Sequence, residues 1–404
     1  MAWKVLWITP RWPEPANDGA KIATIELLKH LAPLPDLELT LLALPPPNDD
    51  TPELPDLKVF ETKIIARKPE IRSRLSRFAT HPFIPVSFSS FLQKETVEEV
   101  RAFAAQDRWD AVIFDGIHAA IPFFSPGLSP SLSFPAKSAK LFYRAHNVEW
   151  SLWEQAAKQS PFPKSQALAL QAHLVKKYEV DLIQKCTETF PVSDEDLKRF
   201  AHITPQPDQQ VILIGKNFEK QPSLTNVSST IHLGFIGRID WLPNREGLAW
   251  FLKEVWPEVV QKRPNLELSI AGSGDDSWLA PFRNLPRVKF LGKIPSVDPF
   301  YHGLDALIVP LFMGSGTRVK VIEASQFARV CLSTALGVEG CGLIEGKSVL
   351  LAETKNEWVD LLMKLDSESL RTLGQEAFTS LRKKHDSALI ATQLHQALIS
   401  KISK

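Results

Sequence analysis

The stretch VPLFMGSGTRVKVIEAS (Val309 to Ser325) places glycines, cations and one carboxylate within ten residues of the end of an apolar run. Gly314 and Gly316, with Ser315 between them and Thr317 after, let a backbone approach a ligand closely, and a helix that follows offers free N–H groups. Arg318 and Lys320 then open that helix. Cations are unfavourable at a helix N-terminus unless an anion compensates them. Two further loops have the same form, IGRIDWLPNREG with Gly237 and Arg238, and AGSGDD with Gly274. One glycine turn after a strand is common in any α/β protein, but three in series beside Arg238, Arg318 and Lys320 point to a phosphate-bearing ligand. Bland alternatives stand beside this reading: a solvated helix start for the two cations, and for Glu323 an ion pair with Lys320 three residues before it.

The elements that position these loops alternate. WKVLWIT (3–9), LELTLLAL (37–44), DAVIFD (110–115), AKLFYRA (139–145) and TETFPVS (187–193) read as buried strands among helical patterns, the first helix spanning 20–32. Polar residues 215–230 lack periodicity and read as a linker. A second series follows: IHLGFIG (231–237), a helix over about 244–261, LELSIAG (266–272), VKFLG (288–292), DALIVPLF (305–312) and ARVCLST (328–334). The expectation is two Rossmann-like α/β domains with parallel sheets, 1–218 and 229–386, with a terminal helix over 387–404 that docks on one of them.

The 404 residues are 44% hydrophobic and 23% charged with a net charge of +1, a balance that argues against a dedicated nucleic-acid binder. Cys186, Cys331 and Cys341 form no Cys-x-x-Cys pair, so neither a zinc knuckle nor a disulfide framework is indicated. No apolar run reaches the ~18 residues of a membrane span. The apolar start is cut by Pro10 and Arg11 and reads as a strand rather than a signal peptide. A cytoplasmic protein is expected, with any membrane contact peripheral. No Walker sequence is present, and AGSGDD lacks the third glycine of a dinucleotide fingerprint. SDED (193–196) contains an Asp-x-Asp, but Ser193 followed by acidic residues reads as a helix N-cap, and no metal site is expected.

The order and spacing of TPRWPEPANDGAKIATIELLKHLA, RAHNVEW, VSDEDLKRF, FIGRIDWLPNREGLAWFLKEVWP, IAGSG and PLFMGSGTRVKVIEA resemble the GT-B glycosyltransferases of family 4, also called glycosyltransferase group 1. The resemblance covers essentially the whole chain. It implies two facing Rossmann-like domains with the active site in their cleft, and metal-independent transfer of a hexosyl unit, with retention, from an NDP-sugar (UDP- or GDP-linked) to an acceptor hydroxyl. That reaction would serve polysaccharide or glycoconjugate assembly, on a saccharide or lipid-linked acceptor and without a cofactor. It implies that Glu323 accepts the ribose hydroxyls, that Gly237, Gly274, Gly314, Ser315, Gly316, Thr317 and Arg318 surround the donor diphosphate, and that the backbone near Ile294 meets the base. His146, Arg238 and Lys320 become the catalytic candidates, and Gly19, Asn147 and Glu149 face the sugar or acceptor, although Glu149 could equally cap a helix.

Two positions depart from the family pattern: Ser315 stands where the first Glu of Glu-x7-Glu would be, and Pro243 where the Lys of Arg-x4-Lys would be, so that Lys320 supplies the missing charge. Those departures keep open a non-catalytic nucleotide-sugar-binding subunit, and the architecture also admits a non-hydrolysing UDP-sugar 2-epimerase. Finally, residues 63–78 carry six cations against Glu70, with Ile71, Leu75 and Phe78 at helical spacing. The segment reads either as a solvated surface helix or as a peripheral contact with an anionic membrane at its inner face.

Overall fold

The computed structural model describes residues 2–16, 18–46, 51, 57–67, 83–106, 108–125, 127, 130–136, 138–203, 209–218, 229–314 and 317–403. Ser315, Gly316 and the segment from 68 to 78 lie outside the described residues.

The chain forms two compact units. The first comprises residues up to Leu213 together with Ala388 onward; the second is Ile214–Ser387. In the first, strands β1 (Trp3–Thr9), β2 (Leu37–Ala43), β3 (Glu61–Ile64), β4 (Ala111–Asp115), β5 (Lys140–Ala145) and β6 (Glu188–Pro191) form one sheet in the order β3-β2-β1-β4-β5-β6. Every pairing in it is parallel. The second unit repeats this plan with β7 (Ile231–Ile236), β8 (Leu266–Ala271), β9 (Val288–Gly292), β10 (Ala306–Val309), β11 (Val330–Ser333) and β12 (Val349–Leu351), in the order β9-β8-β7-β10-β11-β12. Its pairings are parallel as well.

The unbroken apolar runs have a physical reason. On β1, Leu6 and Ile8 pack into one core cluster and Val5 and Trp7 into another. On β10, Ala306 and Ile308 face one cluster, Leu307 and Val309 the other. A strand covered on both faces has no polar side to show, so alternation disappears from its sequence. The strand order reverses between β1 and β4 and again between β7 and β10, and in such sheets ligands sit beyond the carboxyl ends of the strands at the reversal.

Two features correct the sequence expectation. The segment around 214–218, expected as the end of the first domain and part of a linker, belongs to the second unit. There the end of helix α8 (Ser367–His385) grips it: the Lys216 amide donates to His385 O at 2.8 Å, and Ser387 N donates back to Lys216 O at 2.9 Å. The helix expected over 244–261 begins as α6 (Leu242–Trp250) and runs on through a π turn at Phe251–Val255 to Lys262. Pro257 removes one N–H from the ladder there, and the wider turn takes up the irregularity.

Helix α9 (Ser387–Ile402) packs Ile390, Leu394, Ala397 and Leu398 with Trp7 and Leu28 of the first unit. His395 Nε2 lies 2.8 Å from Asp36. No helix among the described residues is long and apolar enough to cross a membrane.

Candidate active site

In the second unit, Lys320 on helix α7 (Val319–Gln326) lies against Gly237 of the loop after β7, and the loop after β8 packs on that same β7 loop. The Lys320 ammonium donates to Asn244 Oδ1 at 2.7 Å and lies 4.5 Å from the centroid of the Phe235 ring. Asn244, 3% exposed, also donates through Nδ2 to Arg238 O at 2.7 Å, so one buried amide ties the β7 loop to the start of α7. A Cβ on Gly237 would meet Asn244 Nδ2 at 2.9 Å and Lys320 Nζ at 3.1 Å. Burial, and then the charge of Arg318, push the Lys320 ammonium down to about 7. A cation so costly to hold at a helix start is a site built for an anion.

Glu323 lies one turn further along α7 and is buried at 6% exposure. Its Oε1 accepts from Lys216 Nζ at 3.2 Å and its Oε2 from Tyr301 Oη at 3.3 Å. The expected alternative, an ion pair between Glu323 and Lys320, is not what forms. Lys320 turns to Asn244, and Lys216, from the stretch the sequence presented as a linker, takes the carboxylate. Arg238 is half-exposed and makes a two-point ion pair with Asp240, at 3.1 and 2.8 Å. Gly274 has φ +110°, and a Cβ on it would meet Asp240 Oδ1 at 2.3 Å, so glycine is required for the β8 loop to seat the Asp240–Arg238 pair. Arg318 is buried at 4% exposure beside Gly314, where its charge acts on Lys320. Thr317 lies just ahead of α7, and Ile294 is half-buried against the core cluster that holds Val321 and Ala324.

The first unit holds a cavity of about 510 Å³ at the carboxyl ends of β1, β4 and β5. Its walls include Lys21, Asp115, His118, His146, Asn147 and Glu149. Asp115 is the buried hub. It accepts from Trp7 Nε1 at 3.1 Å, Arg144 at 2.9 Å and Thr24 Oγ1, and its Oδ1 lies 2.7 Å from His146 Nε2. Burial alone would raise this carboxyl, but the charges of His146 and Arg144 and the hydrogen bonds outweigh it and hold Asp115 well below the usual carboxylate range. A carboxylate only accepts, so His146 Nε2 presents a proton to Asp115. Nδ1 is buried and has no hydrogen-bond partner among the described residues. Gly116 has φ +90°, and a Cβ there would come 3.5 Å from the imidazole.

Glu149 opens helix α3 (Glu149–Lys158) and is pushed up to about 7 by burial, against hydrogen bonding from Asn147 and the charge of Arg11. The capping role open to it falls to another carboxylate, Glu179, which accepts from Trp150 N at 3.4 Å and from Tyr143 Oη at 2.7 Å. Gly19 is the first residue of helix α1 (Gly19–Leu31), behind the N-cap Asp18, and its neighbours Ala20 and Lys21, rather than Gly19 itself, line the cavity. Ser193 caps its helix, accepting from Asp196 N at 3.1 Å. Among the described residues no group of three His, Cys, Asp or Glu side chains is placed to hold a metal ion.

The structure therefore gathers Gly237, Arg238, Gly274, Gly314, Arg318, Lys320 and Glu323 in the second unit, and His146, Asn147 and Glu149 in the first. Sequence reasoning missed Asp115, Lys21, Asn244, Lys216 and Tyr301. Asp115 carried a signal, an acidic residue ending an apolar parallel strand, whereas Lys216 in its polar stretch carried none.

Residues 230–366 match the family model described as glycosyl transferases group 1. A sucrose-phosphate synthase from Thermosynechococcus elongatus superposes with a TM-score of 0.73 over 99% of each chain at 15% identity. HepE of Anabaena, solved in complex with UDP and glucose, superposes with a TM-score of 0.66 over 98% of this chain and 100% of its own, also at 15% identity. In sequence, an "Uncharacterized 44.6 kDa protein in cps region" of Klebsiella pneumoniae is 22% identical over 170 residues, 40% of this chain and 44% of that protein. Residues 230–366 thus carry the glycosyl transferases group 1 match, and the two parallel-sheet Rossmann-like units share the GT-B fold of these structures.

Proposed function

We propose that the protein transfers a hexosyl unit from a UDP- or GDP-sugar to an acceptor hydroxyl, with retention and without a metal ion, in the assembly of a polysaccharide or glycoconjugate. The observation that carries this reading is the Lys320 ammonium held by Asn244 against Gly237, at the carboxyl ends of the β7 and β10 strands. It sits where a donor diphosphate needs a counter-charge, and it compensates for Pro243. In this reading Lys320, helped by Arg238 once that side chain leaves Asp240, stabilises the negative charge that grows on the departing diphosphate. Glu323 accepts the ribose hydroxyls, with Lys216 and Tyr301 fixing its carboxylate. His146, oriented by Asp115, meets the transferred sugar, and the cavity of the first unit receives the acceptor. That HepE was solved with UDP and glucose supports a nucleotide-sugar donor on this fold.

The test is release of nucleoside diphosphate by the full chain from UDP- and GDP-hexoses, with and without mono- and disaccharide acceptors, in buffer containing EDTA. The reading expects turnover of one donor that survives EDTA and collapses in Lys320→Met. Turnover abolished by EDTA and restored by Mg2+ would overturn the metal-independent part. Binding of a nucleotide-sugar with no transfer to any acceptor and no hydrolysis would favour a non-catalytic subunit.

A further inference from the structure

We propose that the cavity of the first unit is an anion-binding site, in which Lys21 and Arg67 hold a phosphate or carboxylate group carried by the acceptor. This rests on the reading of the first unit as the acceptor side, and it narrows the acceptor to an anionic one.

The central observation is Lys21. It lies in the first turn of α1, lines the cavity, and is only 8% exposed. Its ammonium has no hydrogen bond or ion pair among the described residues; only its backbone N–H is engaged, to Asp18. The side chain is thus packed into the cavity wall with no counter-charge, and a cation in the first turn of a helix is unfavourable unless an anion compensates it. A bound anion supplies that compensation.

The other charged groups of the cavity leave room for that anion. Arg11 is matched by Asp18 at 2.7 Å. Asp115 is matched by Arg144 at 2.9 Å, with His146 against the same oxygen. Glu149, pushed up to about 7 by burial, carries only part of a charge near neutrality. Arg67 joins Lys21 in the wall, already oriented: Nε donates to Leu44 O at 3.1 Å, one Nη donates to Ser90 Oγ at 2.6 Å, and the guanidinium carbon lies 4.2 Å from the centroid of the Phe91 ring. The field these cations make is felt by the neighbouring wall residue His118. Burial first, and then Arg11 and Arg67, push that imidazole down to about 4, so it stays neutral and can offer a hydrogen bond without competing for the anion. Ser87, whose buried hydroxyl has no hydrogen-bond partner among the described residues, supplies a further donor in the same wall, and at about 510 Å³ the space suits a phosphorylated or acidic monosaccharide unit.

The experiment is calorimetric titration of the full chain, without donor, with inorganic phosphate, glucose 6-phosphate, glucuronate and glucose. Glucose 6-phosphate or glucuronate is expected to bind at least tenfold more tightly than glucose, and whichever binds better tells phosphate from carboxylate. Lys21→Met should weaken that binding at least tenfold, and Arg67→Gln should do the same should the buried lysine variant fail to fold. Lys320→Met, in the other unit, should leave it unchanged. The proposal is overturned if glucose binds as well as both charged probes, if none of the four binds at millimolar concentration, if binding survives both first-unit variants, or if it disappears in Lys320→Met. Because no nucleotide is present, failure here is separate from failure of the donor reading, which nucleotide titration addresses.

Discussion

Asp115 and Asn244 each hold a neighbour to which the proposed function gives the chemistry. Asp115 orients the imidazole of His146, and Asn244 holds the ammonium of Lys320. Both were hard to see in the sequence. A polar residue inside an apolar run acquires its meaning only when the tertiary fold brings its partner, 31 residues away for Asp115 and 76 for Asn244. Glu323 and Lys320, by contrast, were legible because they break a local rule, a cation and a carboxylate in the apolar pattern of a helix start. Asp115→Asn should lower kcat on the order of 10–100-fold with little change in KM, since the groups that orient a functional histidine carry effects of that size. It should also cost about 3–5 kcal/mol of stability, read by denaturant unfolding, because Arg144 is left buried without its counter-charge. A stability loss with kcat intact would reduce Asp115 to a structural role. For Lys320 the sign of the pH effect is fixed by its lowered proton affinity. The ammonium is present below about 7 and lost above it, so diphosphate affinity should fall as pH rises past 7, by at most about tenfold per unit. Asn244→Asp puts a negative charge beside the ammonium and should move that fall to higher pH; an unmoved profile would show that Lys320 is not the titrating group.

At the scale of elements, the strands were readable because both faces of each sheet are covered, which leaves short unbroken apolar runs between helices. The loops were readable as glycine turns, but what each glycine accommodates was not. Gly274 makes the point, since its neighbour Asp240 comes from a different loop. Gly274→Ala should displace the Asp240 carboxylate, loosen its pair with Arg238 and lower stability by about 1–3 kcal/mol, the cost of a side chain in a left-handed conformation. A thermal midpoint equal to the parent's would show that the β8 loop yields without strain. The segment at 214–218 could not be read, because its apolar contacts and backbone partners come from α8 far along the chain. Of the basic run at 63–78, Lys63 lies in β3 and Arg67 lines the first-unit cavity, while residues 68–78 lie outside the described residues, and the expectation of a membrane contact there stays with the sequence.

For the whole molecule, two units of the same strand order differ in what their strand ends hold, one carrying cations and glycine loops around Lys320 and Glu323, the other enclosing a cavity around Asp115 and Lys21. The architecture was legible from alternation alone, whereas donor and acceptor identity depends on a handful of side chains whose partners only folding supplies. The central claim is that the second unit holds a nucleoside diphosphate through Lys320 and Glu323. Its most direct test is calorimetric titration of the full chain and of Lys320→Met and Glu323→Gln with UDP, GDP, uridine and guanosine. The account predicts that the full chain binds one diphosphate, that Lys320→Met weakens it at least tenfold while sparing its nucleoside, and that Glu323→Gln weakens both by about 1.5–3 kcal/mol, the range for a hydrogen bond to a charged group. No diphosphate binding by the full chain, or unchanged affinity in both variants, would contradict it.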